Sequence, residues 1–244
     1  MTNRNRSIWT LILTGATKER LEWAKWSTEQ MRSQQRIKNV DIRVLILNEH
    51  PHSKVLSETE PHYREIRIDR SLPHLTTLGQ VRNYGLSLIP SGDYIYIADD
   101  DDYRHPSLLL KMFTHWSSID PSACMVQITR RLNFNMLTKA CWQSVDTRGL
   151  VHFLGCIDRL RQKGFKYNHV DSLEDLTIHP LTNRLLYLDN EPWLYVRYTH
   201  SSNTSLYVDK FQDRAQLING AYTERDVTDE SWKQYCDLNQ PPSA

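Results

Sequence analysis

Four consecutive aspartates, Asp99 to Asp102, directly follow the apolar segment YIYIA at residues 94–98. Their mutual repulsion costs stability unless positive charge lies against them. One interpretation is an acidic turn that is hydrated or caps a helix beginning near Ser107. The other is a divalent-cation site, because Mg²⁺ and Mn²⁺ bind carboxylate oxygens and keep positions for water and phosphate. Four carboxylates exceed what a helix cap needs, and this favours the cation site.

The stretch GQVRNYGL at residues 79–86 places a cation and an amide just before the acidic run in the chain. Arg82 and Asn83 lie on a predicted helix, where a guanidinium and an amide donor can face a phosphate near the aspartates. A surface arginine that contacts only water is the alternative.

The stretch SLEDLTIHP at residues 172–180 contains the adjacent carboxylates Glu174 and Asp175. At the start of a helix such a pair is favoured by the helix dipole, which accounts for it structurally. A carboxylate that this position keeps ionised at neutral pH can also act as a general base for a sugar hydroxyl.

The stretch YVRYTHSSNTS at residues 195–205 delivers Arg197, His200 and Asn203 into a polar loop after a predicted strand. Histidine is the commonest metal ligand in proteins, and it also donates hydrogen bonds to phosphate. A single surface histidine, in contrast, means little by itself.

The elements that must position these residues follow from hydrophobic periodicity and from Gly and Pro boundaries. We predict strands at 8–15, 41–48, 63–68, 93–98, 123–128 and 192–198, and helices at 17–36, 79–89, 107–116 and 154–164. Residues 165–188 are interpreted as a loop and another helix. Strands that alternate with helices predict an α/β fold with a mostly parallel sheet sandwiched by helices. In such a sheet ligands bind beyond the carboxyl ends of the strands, where the acidic run lies.

The composition narrows the class of protein. The chain has 244 residues, enough for a single domain, and its 30 basic and 29 acidic residues give no electrostatic reason to expect a nucleic acid partner. The four cysteines form no Cys-x-x-Cys pair, and no apolar run approaches the ~20 residues that span a bilayer. We therefore expect a cytoplasmic protein with free thiols. Its seven Trp and twelve Tyr leave room for peripheral contact with a membrane or a larger synthase complex.

Read in order, four stretches resemble the GT-A glycosyltransferases of the family 2 type. They are GQVRNYGLSLIPSGDYIYIADDDD, then GF at 164–165, LEDL at 173–176 and RYTHSSNTS. The resemblance covers roughly residues 8–205. It implies a Rossmann-like GT-A nucleotide-binding fold and transfer of a sugar from a nucleotide-sugar donor.

The resemblance also implies roles for individual residues around the donor. Asp99 and Asp101 match the positions that hold Mn²⁺ or Mg²⁺ against the diphosphate, and Asp100 between them is expected in the cofactor-binding set. Arg82 matches a residue near the diphosphate, and Asn83 lies beside it.

Further roles follow in the same way from the remaining stretches. Asp175 matches the catalytic base, with Glu174 preceding it, and His200 is expected to approach the metal or the phosphate. Thr14 and Gly15 match the end of the first strand, which cradles the nucleoside.

One stretch departs from the family pattern. After the second strand the family commonly has an acid that recognises the base, whereas this chain reads LNEHPHS at 47–53. Asn48 or Glu49 is the candidate substitute, and uracil is the default base.

These observations predict an inverting glycosyltransferase that uses a UDP-sugar and a glycan or glycolipid acceptor, in surface polysaccharide synthesis. The GT-A domain is expected at 1–210, with a donor half at 8–128 and an acceptor half at 129–210. A helical polar appendage is expected at 211–244, and an acceptor pocket in the region 130–170.

Two alternatives stay open. A sugar nucleotidyltransferase would carry a Gly-rich loop after the first strand, where TGATKER has one glycine. A non-catalytic module that binds Ca²⁺ or a nucleotide would give Asp175 no role, and the acidic run lacks the spacing of an EF-hand.

Overall fold

Two sheets and five helices make up the described part of the chain. The computed structural model describes residues 5–56, 62–146, 152–168, 184–200, 222–226 and 229–242. The larger sheet contains β1 (Arg6–Thr14), β2 (Val40–Asn48), β3 (Tyr63–Arg67), β4 (Tyr94–Asp99), β6 (Met125–Ile128), β9 (Phe153–Cys156) and β10 (Arg184–Tyr187). The smaller sheet contains β5 (Tyr103–Arg104), β7 (Arg130–Asn135), β8 (Cys141–Asp146), β11 (Tyr195–Thr199) and β12 (Tyr222–Asp226). The helices are α1 (Lys18–Arg32), α2 (Leu78–Ser87), α3 (Leu108–Ile119), α4 (Ile157–Gln162) and α5 (Glu230–Leu238).

The larger sheet has seven strands in the order β10-β6-β9-β4-β1-β2-β3. Its neighbours pair in parallel except for β9, which is antiparallel to both β4 and β6. The prediction of a mostly parallel sheet is confirmed. The register sets Thr14 opposite Asn48 and Leu13 opposite Asp99, so the carboxyl ends of β1, β2 and β4 meet at one edge.

Helices cover both faces of this sheet, because its central strands are apolar on both sides. One face, which includes Ile8 and Ile12 of β1, packs with residues of α1 and α3. The other face, which includes Leu11, packs with residues of α2 and α4. The predicted arrangement of a sheet between helices is confirmed.

Gly85 allows α2 to approach the sheet closely. A Cβ atom at this position would lie 2.7 Å from a methyl carbon of Leu11 and 2.9 Å from one of Leu47. Since no side chain intervenes, the helix sits directly on β1 and β2. This close packing carries Arg82, one turn earlier on α2, to the carboxyl end of β4.

The smaller sheet, in the order β12-β8-β7-β11-β5, was not predicted. Alternate residues on one face, among them Phe134 and Tyr198, form an apolar cluster with Cys236 of α5. The opposite face is polar, and we call it the polar face. Its residues are Arg131, Asn133, Ser144, Tyr195 and Arg197.

Several predicted boundaries are wrong. The helix predicted at 154–164 begins at Ile157, because the residues before it form β9 between β4 and β6. Arg184–Tyr187, assigned to the loop and helix at 165–188, is an edge strand, and 169–183 lies outside the described residues. The strand predicted at 192–198 opens with a 3₁₀ turn, Pro192–Leu194, and becomes extended only at Tyr195.

The C-terminal region contains the helix that was predicted for it, α5, and a strand that was not. That strand, β12, pairs antiparallel with β8, and Cys236 of α5 is fully buried. The division of the chain at residue 210 stays a prediction. Within the described ranges, no helix is long and apolar enough to cross a membrane.

Candidate functional site

Polar residues from both sheets meet at the carboxyl edge of the larger one. Thr14, Asn48 and Asp99 end three neighbouring strands, and the remaining aspartates follow Asp99 in the turn to β5. The smaller sheet contributes His200, which directly follows β11. The predicted position of the acidic run beyond the strand ends is therefore confirmed.

Arg20, which the sequence did not single out, neutralises the centre of the acidic run. It lies in the first turn of α1, where Thr14 Oγ1 donates a hydrogen bond of 2.8 Å to its carbonyl oxygen. Its guanidinium reaches Asp100 Oδ1 at 2.7 Å and Asp101 Oδ2 at 2.9 Å. Asp100 is completely buried, and this burial raises its pKa well above the usual range although the charge of Arg20 acts to lower it. The expected role of Asp100 in cofactor binding stays a prediction.

Asp101 also meets His200, as the sequence suggested. His200 Nε2 lies 3.0 Å from Asp101 Oδ2, and the imidazole packs edge-on against Trp23 with ring centroids 4.3 Å apart. Burial acts to raise the pKa of Asp101, but the hydrogen bond from His200 and the charge of Arg20 outweigh it and lower that pKa. Asp101 is therefore an ionised carboxylate next to an imidazole, which is a pair of metal-ligand types.

Asp99 is the most exposed carboxylate of the run, with a third of its side chain accessible. Arg82 Nη2 contacts its Oδ1 at 3.0 Å, and the Arg82 guanidinium lies over the ring of Tyr167 at 5.2 Å. The expected proximity of Arg82 to the acidic run is thus present. Asn83 exchanges two hydrogen bonds of 2.8 Å with the backbone of Tyr167, so its amide holds the segment after α4 in place.

Asp102 joins the two sheets. Its Oδ1 accepts a hydrogen bond of 3.0 Å from the Tyr198 backbone N–H, and the Tyr195 hydroxyl donates to its Oδ2. Burial, reinforced by the charges of Asp101 and Asp99, raises the pKa of Asp102 to about 7. Arg104, completely buried, donates to the carbonyl oxygens of Asp102 and Asp99 and so fixes the backbone of the turn.

Asn48 shapes the loop after β2. Its Nδ2 donates to Ser53 O at 2.9 Å and to Glu65 Oε1 at 2.6 Å, and its Oδ1 accepts from the His50 N–H. Glu65 in turn accepts the backbone N–H of Val55. The role of Asn48 in nucleotide recognition stays a prediction, as do those of Thr14 and Gly15.

The residues present fit a small hard cation that is completed by substrate. Across the described ranges, no three His, Cys, Asp or Glu side chains converge as a preformed metal site. Mg²⁺ is usually held by one or two carboxylates together with water and substrate phosphates, so Asp101 would suffice with substrate bound, and His200, whose Nε2 contacts Asp101, would add an imidazole. Glu174 and Asp175, the predicted catalytic carboxylates, lie outside the described residues.

No family model and no curated protein matches the sequence. Comparison with solved structures does find similar folds. The fold is similar to TarS of S. aureus, residues 1–349, with 10% identity over 79% of this chain and 60% of that one and a TM-score of 0.52. It is also similar to GalNAc-T7 in complex with UDP, GalNAc and Mn²⁺, with 8% identity over 83% of this chain and 46% of that one and a TM-score of 0.52. The chain thus spans less than two thirds of either structure. Its fold, with an acidic run at the carboxyl edge of the sheet, is the GT-A fold of glycosyltransferases.

Proposed function

We propose that this chain is a metal-dependent glycosyltransferase, which moves a sugar from a nucleotide-diphosphate sugar to an acceptor hydroxyl. The observation that carries the proposal is the 3.0 Å approach of Asp101 and His200 at the carboxyl edge of a GT-A sheet. These residues are 99 positions apart and follow strands of different sheets, β4 and β11. The presence of UDP and Mn²⁺ in GalNAc-T7 supports a UDP-sugar and Mn²⁺, with Mg²⁺ as the other candidate.

Three residues are assigned roles around the cation and the diphosphate. Asp101 and His200 would hold the cation, and the lowered pKa of Asp101 keeps its carboxylate ionised for that purpose. When bound, the cation supplies positive charge against the negative charge that builds on the leaving diphosphate. Arg82, held by Asp99, adds a fixed positive charge near the same edge.

Asp175 is proposed as the general base, preceded in the chain by Glu174. It takes the proton of the acceptor hydroxyl while that oxygen forms the new bond to the anomeric carbon and the bond to the diphosphate breaks. Attack opposite to the leaving group inverts the anomeric centre. The resemblance to family 2 enzymes supports this mechanism and a glycan or glycolipid acceptor in surface polysaccharide synthesis, and the proposed location is cytoplasmic with peripheral contact to a membrane.

Nucleotide release tests the proposal. The wild type is incubated with UDP-, GDP-, TDP- and CMP-sugars, with Mn²⁺ or with EDTA, alongside Asp101→Asn. The matched control is Asp189→Asn, since the Asp189 side chain is 96% exposed. We expect release from one donor that requires Mn²⁺, is lost in Asp101→Asn and is unchanged in the control. No release, together with no nucleotide-dependent rise in Tm with any donor, would overturn the proposal.

Asp175→Asn tests the assigned base separately. Because the base acts on the acceptor, this variant should lose transfer while its Kd for the donor nucleotide stays close to that of the wild type. Full transfer activity in the variant would remove Asp175 from the mechanism and leave the rest of the proposal standing.

A further inference from the structure

His152 is a buried polar residue that the proposed mechanism does not use. It precedes β9 with a backbone φ of 70°, and its side chain is almost wholly inaccessible. Neither ring nitrogen has a hydrogen-bond partner among the residues that the structure describes. Burying a polar group without a partner costs about 1–3 kcal/mol, so an unpartnered imidazole here requires an explanation.

The groups around His152 are cationic. Its ring lies against Tyr195 with centroids 3.7 Å apart, which places it at the polar face of the smaller sheet. Burial first, and then the guanidiniums of Arg131, Arg104, Arg197 and Arg82, lower the pKa of His152 well below its usual value. The imidazole is therefore neutral, with one N–H to donate.

Two of these arginines line the polar face itself. Arg131 and Arg197 occupy the neighbouring strands β7 and β11, on the side opposite the apolar cluster. Arg131 Nε donates to Ser144 Oγ at 3.1 Å, and Asn133 Nδ2 donates to the same oxygen at 2.9 Å. The polar face thus carries guanidinium, amide and hydroxyl groups, and the His152 ring lies against Tyr195 on the same face. Such a set of donors matches an anion.

Arg104 and Arg82 border this set but are engaged elsewhere. Arg104 donates to Ser27 Oγ at 3.0 Å and to backbone carbonyls of the acidic run. Arg82 contacts Asp99 at 3.0 Å, at the carboxyl end of β4, and its charge also acts on His152. The donors of the polar face are therefore adjacent to the carboxyl edge of the larger sheet, where the diphosphate is proposed to bind.

We infer that Arg131, Arg197 and His152 form a subsite for an anionic group, a phosphate or a carboxylate, on the acceptor. The inference rests on the proposed function and adds the substrate class. An acceptor group is favoured over the donor diphosphate for two reasons. Arg131 and His152 both lie in the region 130–170, where the acceptor pocket is expected, and the cation that contacts Asp101 is Arg20 rather than any member of this set.

Acceptor kinetics test the inference with a matched pair of variants. Arg131→Gln removes one guanidinium, and Arg130→Gln removes its neighbour on β7, whose side chain is 41% exposed. The acceptors are a sugar alcohol with its phosphate ester, and a neutral hexose with its uronic acid. These two pairs separate phosphate from carboxylate recognition.

We expect the wild type to prefer the anionic member of one pair. In Arg131→Gln the KM for that acceptor should rise about 10-fold or more relative to the neutral one, as for the loss of a charged hydrogen bond. Arg130→Gln should behave as the wild type. An unchanged ratio of KM values in Arg131→Gln would overturn the inference.

A binding measurement separates this inference from the proposed function. Tm is measured in EDTA with millimolar inorganic phosphate or acetate at constant ionic strength. We expect one anion to raise the Tm of the wild type and of Arg130→Gln, but not that of Arg131→Gln, whether or not any donor is turned over. An equal rise in all three proteins would be an effect outside the subsite and would contradict the inference. Should Arg131→Gln fail to fold, Arg197→Gln removes the other guanidinium of the subsite, and an undiminished response in that variant would also contradict the inference.

Discussion

The acidic run and the cationic set on the polar face are built in opposite ways. Asp99 to Asp102 are consecutive, and each carboxylate contacts a partner from another element: Arg82, Arg20, His200 or the strand β11. The cationic set, Arg131 and Arg197 with His152, comes from β7, β11 and the turn before β9, and neither ring nitrogen of His152 has a hydrogen-bond partner among the described residues. The fold therefore sets charged or hydrogen-bonding groups of other elements against the acidic run, whereas the imidazole of His152 at the polar face has no such partner among the described residues.

The largest effect on transfer should come from removing a carboxylate of the acidic run. Asp101→Asn removes the negative charge that would hold the cation, and charge stabilisation of this kind contributes several kcal/mol to a transition state. We expect transfer to fall by about 100-fold or more, and by the same factor with neutral and anionic acceptors. This loss is measured as the initial rate of transfer with neutral and with anionic acceptors.

Arg131→Gln provides the comparison for that result, because its loss of transfer activity should depend on the charge of the acceptor. Equal losses for the two classes in both variants would mean that the two regions act as one site. Their separate assignment would then be wrong.

The next largest effect concerns stability. Arg20→Gln removes the guanidinium that bridges the buried Asp100 and Asp101, and loss of one partner from a buried ion pair such as Arg20–Asp101 typically costs about 3 kcal/mol or more. We expect urea denaturation to show a free energy of unfolding lower by about that amount. Mn²⁺ should restore part of the loss, since its charge would lie against the same carboxylates. A variant as stable as the wild type would show that Asp100 is held by other contacts.

A smaller effect is expected at the packing that brings Arg82 to the edge. In Gly85→Ala the added methyl would lie 2.7 Å from Leu11, so α2 must move away from the sheet. Overpacking of this kind typically costs about 1–3 kcal/mol. Because the shift withdraws Arg82 from Asp99, transfer should fall as well as stability. Thermal denaturation and initial rates measure the two effects. If the helix accommodates the methyl group without moving, both Tm and the rate of transfer should stay at the wild-type values.

The contrast also explains what could be predicted from the sequence. The acidic run is visible because its four residues are contiguous, and β1, α1, β2 and β4 are visible because each is a continuous periodic segment. Arg82 and His200 were singled out by residue type beside predicted elements, and their order in a family pattern then implied their roles. All of these signals lie within short stretches of chain.

The smaller sheet was missed for a physical reason. In β7 an apolar residue alternates with Arg131 and Asn133, which are buried at the polar face, so the strand resembles an exposed polar segment. β5 is only two residues long. Arg20 was missed because a single arginine in an amphipathic helix gives no sign that it faces a carboxylate 80 residues later. Tertiary pairing of dispersed charges is what the sequence does not display.

The smallest effect should come from an exposed pair on the same helix as Arg20. Lys25 Nζ lies 2.6 Å from Glu22 Oε1, closer than the 2.7 Å between Arg20 and Asp100, but about half of each side chain is exposed. Exposed pairs on a helix contribute about 0.5 kcal/mol or less, because water and salt screen them. Lys25→Gln should therefore leave the free energy of unfolding within that margin of the wild type, and ~1 M NaCl should remove even this difference. If Lys25→Gln and Arg20→Gln were equally destabilising, the distance within an ion pair rather than its burial would set its contribution to stability. The distinction between the buried ion pairs of the acidic run and the surface charges would then not hold.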